Sequence, residues 1–128
     1  MTPDDPSLTL LRSKVRDVPD FPTPGILFKD ITPLLSDRHA MDAALSLLAQ
    51  AIEDLMFDVI AAPEARGFIF AAPLARHFGV GLALIRKPGK LPAATLSHSY
   101  SLEYGDETLE MQADSFEGMD SSLSLIHI

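Results

Sequence analysis

The hydrophobic and polar positions of this chain fall into blocks whose period changes along its length. Residues 57–61 and 80–85 are short apolar runs that read as core strands. Between them, 67–78 spaces its apolar residues as a buried helix does, and Gly79 is placed to stop it. The run breaks at Pro63, so the order is strand, tight loop, helix, strand. That is a βαβ unit, and its two strands are predicted to be parallel neighbours joined by a right-handed crossover. Ahead of it, Ser36 or Asp37 is placed to cap a long helix running to about Leu55. Its apolar stripe is Met41, Leu45, Leu48, Ile52 and Leu55, a face suited to covering a sheet and too short to be a coiled coil.

The flanks are less regular. Residues 7–18 read as a short helix, with Leu8, Leu11, Val15 and Val18 at helical spacing. Pro19, Pro22, Pro24 and Gly25 then exclude helix and make a stiff segment, with Phe21 expected to pack onto the body. Ile26-Leu27-Phe28 reads as a brief strand. After the second core strand, 86–98 is a polar connection containing Pro88, Gly89 and Pro92; a connection of that length is expected to be a functional lid. Residues 99–103 and 108–112 alternate as a hairpin or a pair of strands beside the lid. The fold class is therefore α/β, a mostly parallel sheet flanked by helices.

Composition narrows the function. The 128 residues, 47% of them hydrophobic, suit one domain with a real core. Ten basic residues against 18 acidic ones give a net charge of −8, which disfavours nucleic acid as a partner. With no cysteine, there can be no disulfide, zinc–thiolate site or thiol nucleophile. No apolar run has transmembrane length and no signal peptide opens the chain, so no membrane partner and a cytoplasmic location are expected. His39, His77 and His98 lack metal-ligand spacing, and no protein-held metal is expected.

The scarce positive charge is unevenly placed. Arg66 stands where the βαβ helix begins, a poor place for a cation unless an anion joins it to the helix N-terminus. Arg86, Lys87 and Lys90 follow the end of the next parallel strand, on the same rim of the sheet. A phosphate or pyrophosphate suits both groups, since Arg grips it bidentately and Lys adds point charge. A solvated arginine and a solvated basic loop are the plainer alternatives. Glu103 can serve as acid or base near such a site or be an ordinary surface glutamate; Tyr104 can stack on a flat ligand or cover core. There is no P-loop, dinucleotide-binding glycine pattern or nucleophile elbow.

Several segments together resemble the adenine phosphoribosyltransferases. Pro19-Asp20-Phe21-Pro22-Thr23-Pro24-Gly25-Ile26-Leu27-Phe28-Lys29-Asp30-Ile31-Thr32-Pro33 is similar to their N-terminal signature. Glu64-Ala65-Arg66-Gly67-Phe68, then Ile85-Arg86-Lys87-Pro88-Gly89-Lys90-Leu91-Pro92, then Ser99-Tyr100-Ser101-Leu102-Glu103-Tyr104-Gly105 match in order and spacing. The resemblance implies a type I phosphoribosyltransferase fold with an N-terminal purine hood and a flexible loop hairpin. It implies transfer of phosphoribosyl from phosphoribosyl pyrophosphate to adenine, giving AMP and pyrophosphate in purine salvage. Mg²⁺ would be bound through phosphoribosyl pyrophosphate, and the full-length protein would be a homodimer. It assigns backbone at Leu27, Phe28 and Lys29 to the purine, Arg66 to pyrophosphate and Ala65 beside it to substrate binding. Arg86, Lys87 and Lys90 become the basic start of the loop, Glu103 the catalytic acid–base residue and Tyr104 its neighbour.

The chain also departs from that pattern. Ala62 and Ala71 stand where the family often has glycine, and a methyl at 62 is expected to crowd the ligand. The resemblance stops near Gly118, before the acidic pair and Gly/Thr-rich loop that cradle the ribose 5′-phosphate in the family. Residues 1–118 therefore read as a truncated phosphoribosyltransferase domain, inactive by itself and with an open apolar sheet edge. The final Leu123-Ser124-Leu125-Ile126-His127-Ile128 matches what a transposon end used in sequencing libraries encodes. Residues 119–128 are accordingly expected to be a non-native or disordered tail, with a last buried strand as the alternative. Rival functions are a phosphoribosyl pyrophosphate- or purine-sensing regulatory domain, and a transferase for xanthine or another purine.

Overall fold

The structure is a computed structural model that describes residues 5–102, 105–119 and 123–124, the last two by their backbone. It divides into two compact units, Met1–Glu53 and Asp54–Ile128.

In the first unit, helix α1 spans Pro6–Ser13, strand β1 Arg16–Pro19, strand β2 Leu27–Asp30, helix α2 Thr32–Ser36 and helix α3 Arg38–Ile52. Asp5 caps α1 by accepting the Ser7 N–H at 2.8 Å, and Pro6 suits the first turn because its missing N–H is not needed there. The helix expected over 7–18 ends at Ser13. Arg16–Pro19 instead pairs antiparallel with β2, so the strand partner overrides local helical spacing at Val15 and Val18. The β2 strand starts one residue later than Ile26 and runs on to Asp30, and the short α2 had no sequence signal beyond Pro33.

Asp37 caps α3, accepting the N–H groups of His39 and Ala40 at 2.9 Å each, and its carboxyl lies below the usual carboxylate range because of the Ala40 N–H and then Lys14. Both α1 and α2 pack against α3, which buries Ala40, Ala44 and Leu47. That face is rotated from the expected stripe. Met41, Leu45, Leu48 and Ile52 are only half-buried, and Leu55 lies beyond the helix, exposed. The small side chains at 40 and 44 let neighbouring helices approach closely, which a count of large apolar residues does not register.

The second unit holds strand β3 Val59–Pro63, helix α4 Arg66–Phe78, strands β4 Gly81–Arg86, β5 Thr95–Leu102, β6 Gly105–Gln112 and the two-residue β7 Leu123–Ser124. The sheet order is β5-β6-β4-β3-β7, with β3 parallel to β4 as predicted. Val59, Ala61 and Ala83 form an apolar cluster with Ile85, Met111 and Phe116 packed on it. By the two-residue period of a strand, Ile60 and Ala62 face the other way, and both are fully buried. The α4 helix packs against β3 and β4 and buries Gly67, Ala71, Leu74 and Ala75. Gly79 ends it in the left-handed conformation, φ 69°, its N–H donating back to the last turn.

Two boundaries differ from expectation. The connection read as 86–98 is shorter: β4 runs through Arg86 and β5 starts at Thr95, leaving residues 87–94 between them. The β5–β6 hairpin is correspondingly longer than the predicted 99–103 and 108–112. The β7 strand pairs parallel with Ile60 and Ala61, against the edge of β3 expected to be open.

Candidate functional site

The site in the second unit is built by strand register. With β3 and β4 parallel, Pro63 stands opposite Ile85, so Glu64 and Arg86 leave the sheet side by side. The Glu64 N–H donates to the Ile85 carbonyl at 2.9 Å, carrying the pairing one step past the strands. Its Oε1 accepts from the Lys87 N–H at 2.8 Å and from Arg86 Nε at 3.1 Å. Glu64 and Arg86 side chains are 18% and 33% exposed, so water only partly screens this pair. The Lys87 N–H, aided by the Arg86 charge and hydrogen bond, holds the Glu64 carboxyl below its usual range against the opposing effect of burial.

Next in the chain is the start of α4. Ala65 is its N-cap and has no side-chain oxygen to offer, so Arg66 opens a helix whose first N–H groups have no cap side chain. The Glu64–Ala65 peptide is cis. Both Ala65 and Arg66 are exposed. Arg66 at the tip of β3 and Arg86, Lys87 and Lys90 at the tip of β4 therefore lie on the same rim of one sheet.

The turn carrying the lysines is stapled to β6. Gly89 takes φ 80°, which a Pro-Gly turn requires, and its N–H donates to Glu110 Oε1 at 2.9 Å. Thr95 Oγ1 donates to the other Glu110 oxygen at 3.0 Å. Further on, the Ala93 N–H donates to Gln112 Oε1 at 3.2 Å and the Ala113 N–H to the Ala94 carbonyl at 2.8 Å. The segment expected to be a lid is thus hydrogen-bonded along β6.

In the first unit, β1 and β2 carry the second group of candidates. The Phe21 N–H donates to the Ile26 carbonyl at 3.2 Å, and Asp20 Oδ1 accepts the Gly25 N–H at 2.9 Å, closing the Pro-rich loop. Phe21 meets Phe28 edge to face, with ring centroids 5.1 Å apart. A hollow of 240 Å³ is lined by Val18, Phe21, Phe28, Asp30 and Thr32. Asp30 anchors its polar side. Its Oδ1 accepts the Thr32 N–H at 2.9 Å and the Thr32 hydroxyl at 2.8 Å, and its Oδ2 pairs with Arg16. These contacts, the Thr32 N–H foremost, bring its pKa to about 2. Leu27 is exposed, Phe28 half-buried, and Lys29 exposed and paired with Asp17.

Ala62 and Ala71 are both fully buried. The Ala62 methyl is packed inside the protein and does not stand in open space at the strand tip. Glu103 and Tyr104 lie outside the described residues. Sequence reading passed over Glu64, Glu110 and Asp30. For Glu64 the signal was there: aligning β3 and β4 as parallel neighbours sets it opposite Arg86.

A βαβ unit with cations on the carboxyl rim of its strands is an open α/β arrangement, the class in which ligands gather at the strand tips. No protein-family model matches the chain. It is 55% identical over 108 residues to the adenine phosphoribosyltransferase of Thermoanaerobacter sp. (strain X514), a match covering 84% of this chain and 62% of that protein. Among solved structures, adenine phosphoribosyltransferase from Rhodothermus marinus is 42% identical with a TM-score of 0.84, covering 92% of this chain and 67% of that one. The Giardia lamblia enzyme complexed with 9-deazaadenine is 32% identical, also with a TM-score of 0.84, covering 91% and 65%. The chain belongs to the adenine phosphoribosyltransferase family. It spans about 62% of the length of the first of these relatives.

Proposed function

We propose that this chain carries the purine-binding and pyrophosphate-binding parts of an enzyme that moves phosphoribosyl from phosphoribosyl pyrophosphate to adenine. The observation that carries the reading is the gathering of Arg66, Arg86, Lys87 and Lys90 at the tips of two parallel strands in a protein of net charge −8. Pyrophosphate leaves as an anion while positive charge develops on the ribose, so fixed cations and helix N–H groups stabilise the departing group. The aromatic hollow beside Phe28 offers a flat apolar wall with backbone of Leu27, Phe28 and Lys29 along its strand, which suits adenine. A relative bound to 9-deazaadenine supports a purine as the base.

Glu103 is proposed as the acid–base group at the base and Tyr104 as its neighbour, both from family resemblance. Among the described residues no three His, Asp or Glu side chains gather as metal ligands. From family resemblance, Mg²⁺ when present would be held by diphosphate oxygens, whose charge it neutralises. Family membership likewise carries the proposals of a homodimeric full-length protein and a cytoplasmic location. Among the described residues no helix is long and apolar enough to cross a membrane.

Calorimetric titration of the 128-residue chain with pyrophosphate, followed by competition among adenine, hypoxanthine, guanine and xanthine, tests the reading. Binding of pyrophosphate and a preference for adenine are expected. No pyrophosphate binding, or a preference for xanthine, would overturn it.

A further inference from the structure

We infer that Glu64 and Glu110 are positioning residues that hold the basic turn after β4 in the shape that presents its cations to an anion. This rests on the reading of the strand tips as an anion site. The two carboxylates act at matching points: Glu64 accepts the Lys87 N–H at 2.8 Å and Glu110 the Gly89 N–H at 2.9 Å, two residues further on. Each has a second partner that fixes its own direction, Arg86 Nε for Glu64 and the Thr95 hydroxyl for Glu110. Each also stands on a strand of the same sheet or directly at its end, so the turn is gripped from both sides by rigid backbone.

Glu64 engages Arg86 through Nε. A guanidinium held there has its plane set, and among the described residues its contact is through Nε, leaving the terminal nitrogens' donors for an oxygen-rich ligand. The two carboxylates also lower the net charge of the turn, which by itself opposes anion binding. Geometry and charge therefore predict opposite effects for different substitutions, and this separates a positioning role from a carboxylate merely resting where the ligand anion would sit.

The test is calorimetric titration with pyrophosphate on the full chain and its Glu64→Gln, Glu64→Ala and Glu110→Ala variants, with amide exchange followed in parallel. Gln keeps the acceptor and removes the charge, so Glu64→Gln is expected to bind at least as tightly as the unaltered chain. Glu64→Ala is expected to bind about tenfold more weakly, the scale of a hydrogen bond to a charged group. Exchange should quicken at the Lys87 amide in Glu64→Ala and at the Gly89 amide in Glu110→Ala, while β3 and β4 amides keep their protection. If Glu64→Ala does not fold, Glu110→Ala carries the same affinity test. Alanine variants that bind as tightly as the unaltered chain or more tightly, or equal weakening by Gln and Ala at 64, would overturn the inference. An unaltered chain that binds no pyrophosphate would instead overturn the anion site on which it rests.

Discussion

Glu64 and Arg86 occupy equivalent places just beyond and at the end of two parallel strands, and one carboxylate oxygen of Glu64 binds both Arg86 Nε and the next backbone N–H. The contact joins the loop that opens α4 to the turn that follows β4. Each loop brings cations to the rim, and the contact ties together two segments whose paired residues are 22 positions apart.

Arg66→Ala should weaken pyrophosphate binding by about tenfold or more, as expected for loss of a charge-assisted contact to an anion. The β3–β4 pairing should be untouched, because Arg66 is exposed at the first position of α4. Titration at rising ionic strength is expected to shrink the difference between the variant and the unaltered chain, since screening acts on an exposed cation.

Asp30 gives the first unit a stability that depends on acidity. Its folded pKa is lowered from 3.8 to about 2, so the folded state favours the ionised form. That stabilisation is complete above the unfolded value near 4 and is lost as pH falls through about 2. Urea midpoints measured from pH 5 down to pH 2, as approximate settings around that window, should fall less steeply in Asp30→Asn than in the unaltered chain. Parallel curves for the two proteins would count against the role given to Thr32 and Arg16.

Phe28→Ala should remove one wall of the aromatic hollow and its edge-to-face partner for Phe21. The expected cost is about 1–3 kcal/mol of stability, below that of a fully buried ring because Phe28 is only half-buried. Adenine binding should weaken in the same variant, while pyrophosphate binding stays close to that of the unaltered chain.

At Gly89, φ is 80° and an added Cβ would meet nothing within 4 Å, so the cost of Gly89→Ala is purely one of backbone conformation. About 1 kcal/mol is expected, and the turn should shift away from Glu110. Faster exchange of the residue-89 amide, with β5–β6 amides unchanged, is the measurement that checks it.

Much of the second unit was legible because its signals are strong and local. The apolar runs of β3 and β4, the break at Pro63 and the stop at Gly79 each have one physical reading, and the parallel pairing followed from the short helical connection. The first unit was harder. Arg16–Pro19 becomes a strand only because β2 lies beside it, and α3 buries Ala40 and Ala44, not the larger Met41 and Leu45. Neither depends on local pattern alone. In the candidate site, Arg66, Arg86, Lys87 and Lys90 were singled out from charge and position alone. Glu64 and Glu110 were not, because acidic side chains are common in this chain and only register and hydrogen bonding set these two apart.

The most direct measurement is an amide chemical-shift titration of the isotope-labelled 128-residue chain with pyrophosphate. Saturable shifts confined to residues 64–68 and 86–90 are the predicted result. Shifts scattered over exposed lysines and arginines without saturation, or a saturable site elsewhere in the chain, would contradict an anion site at the tips of β3 and β4.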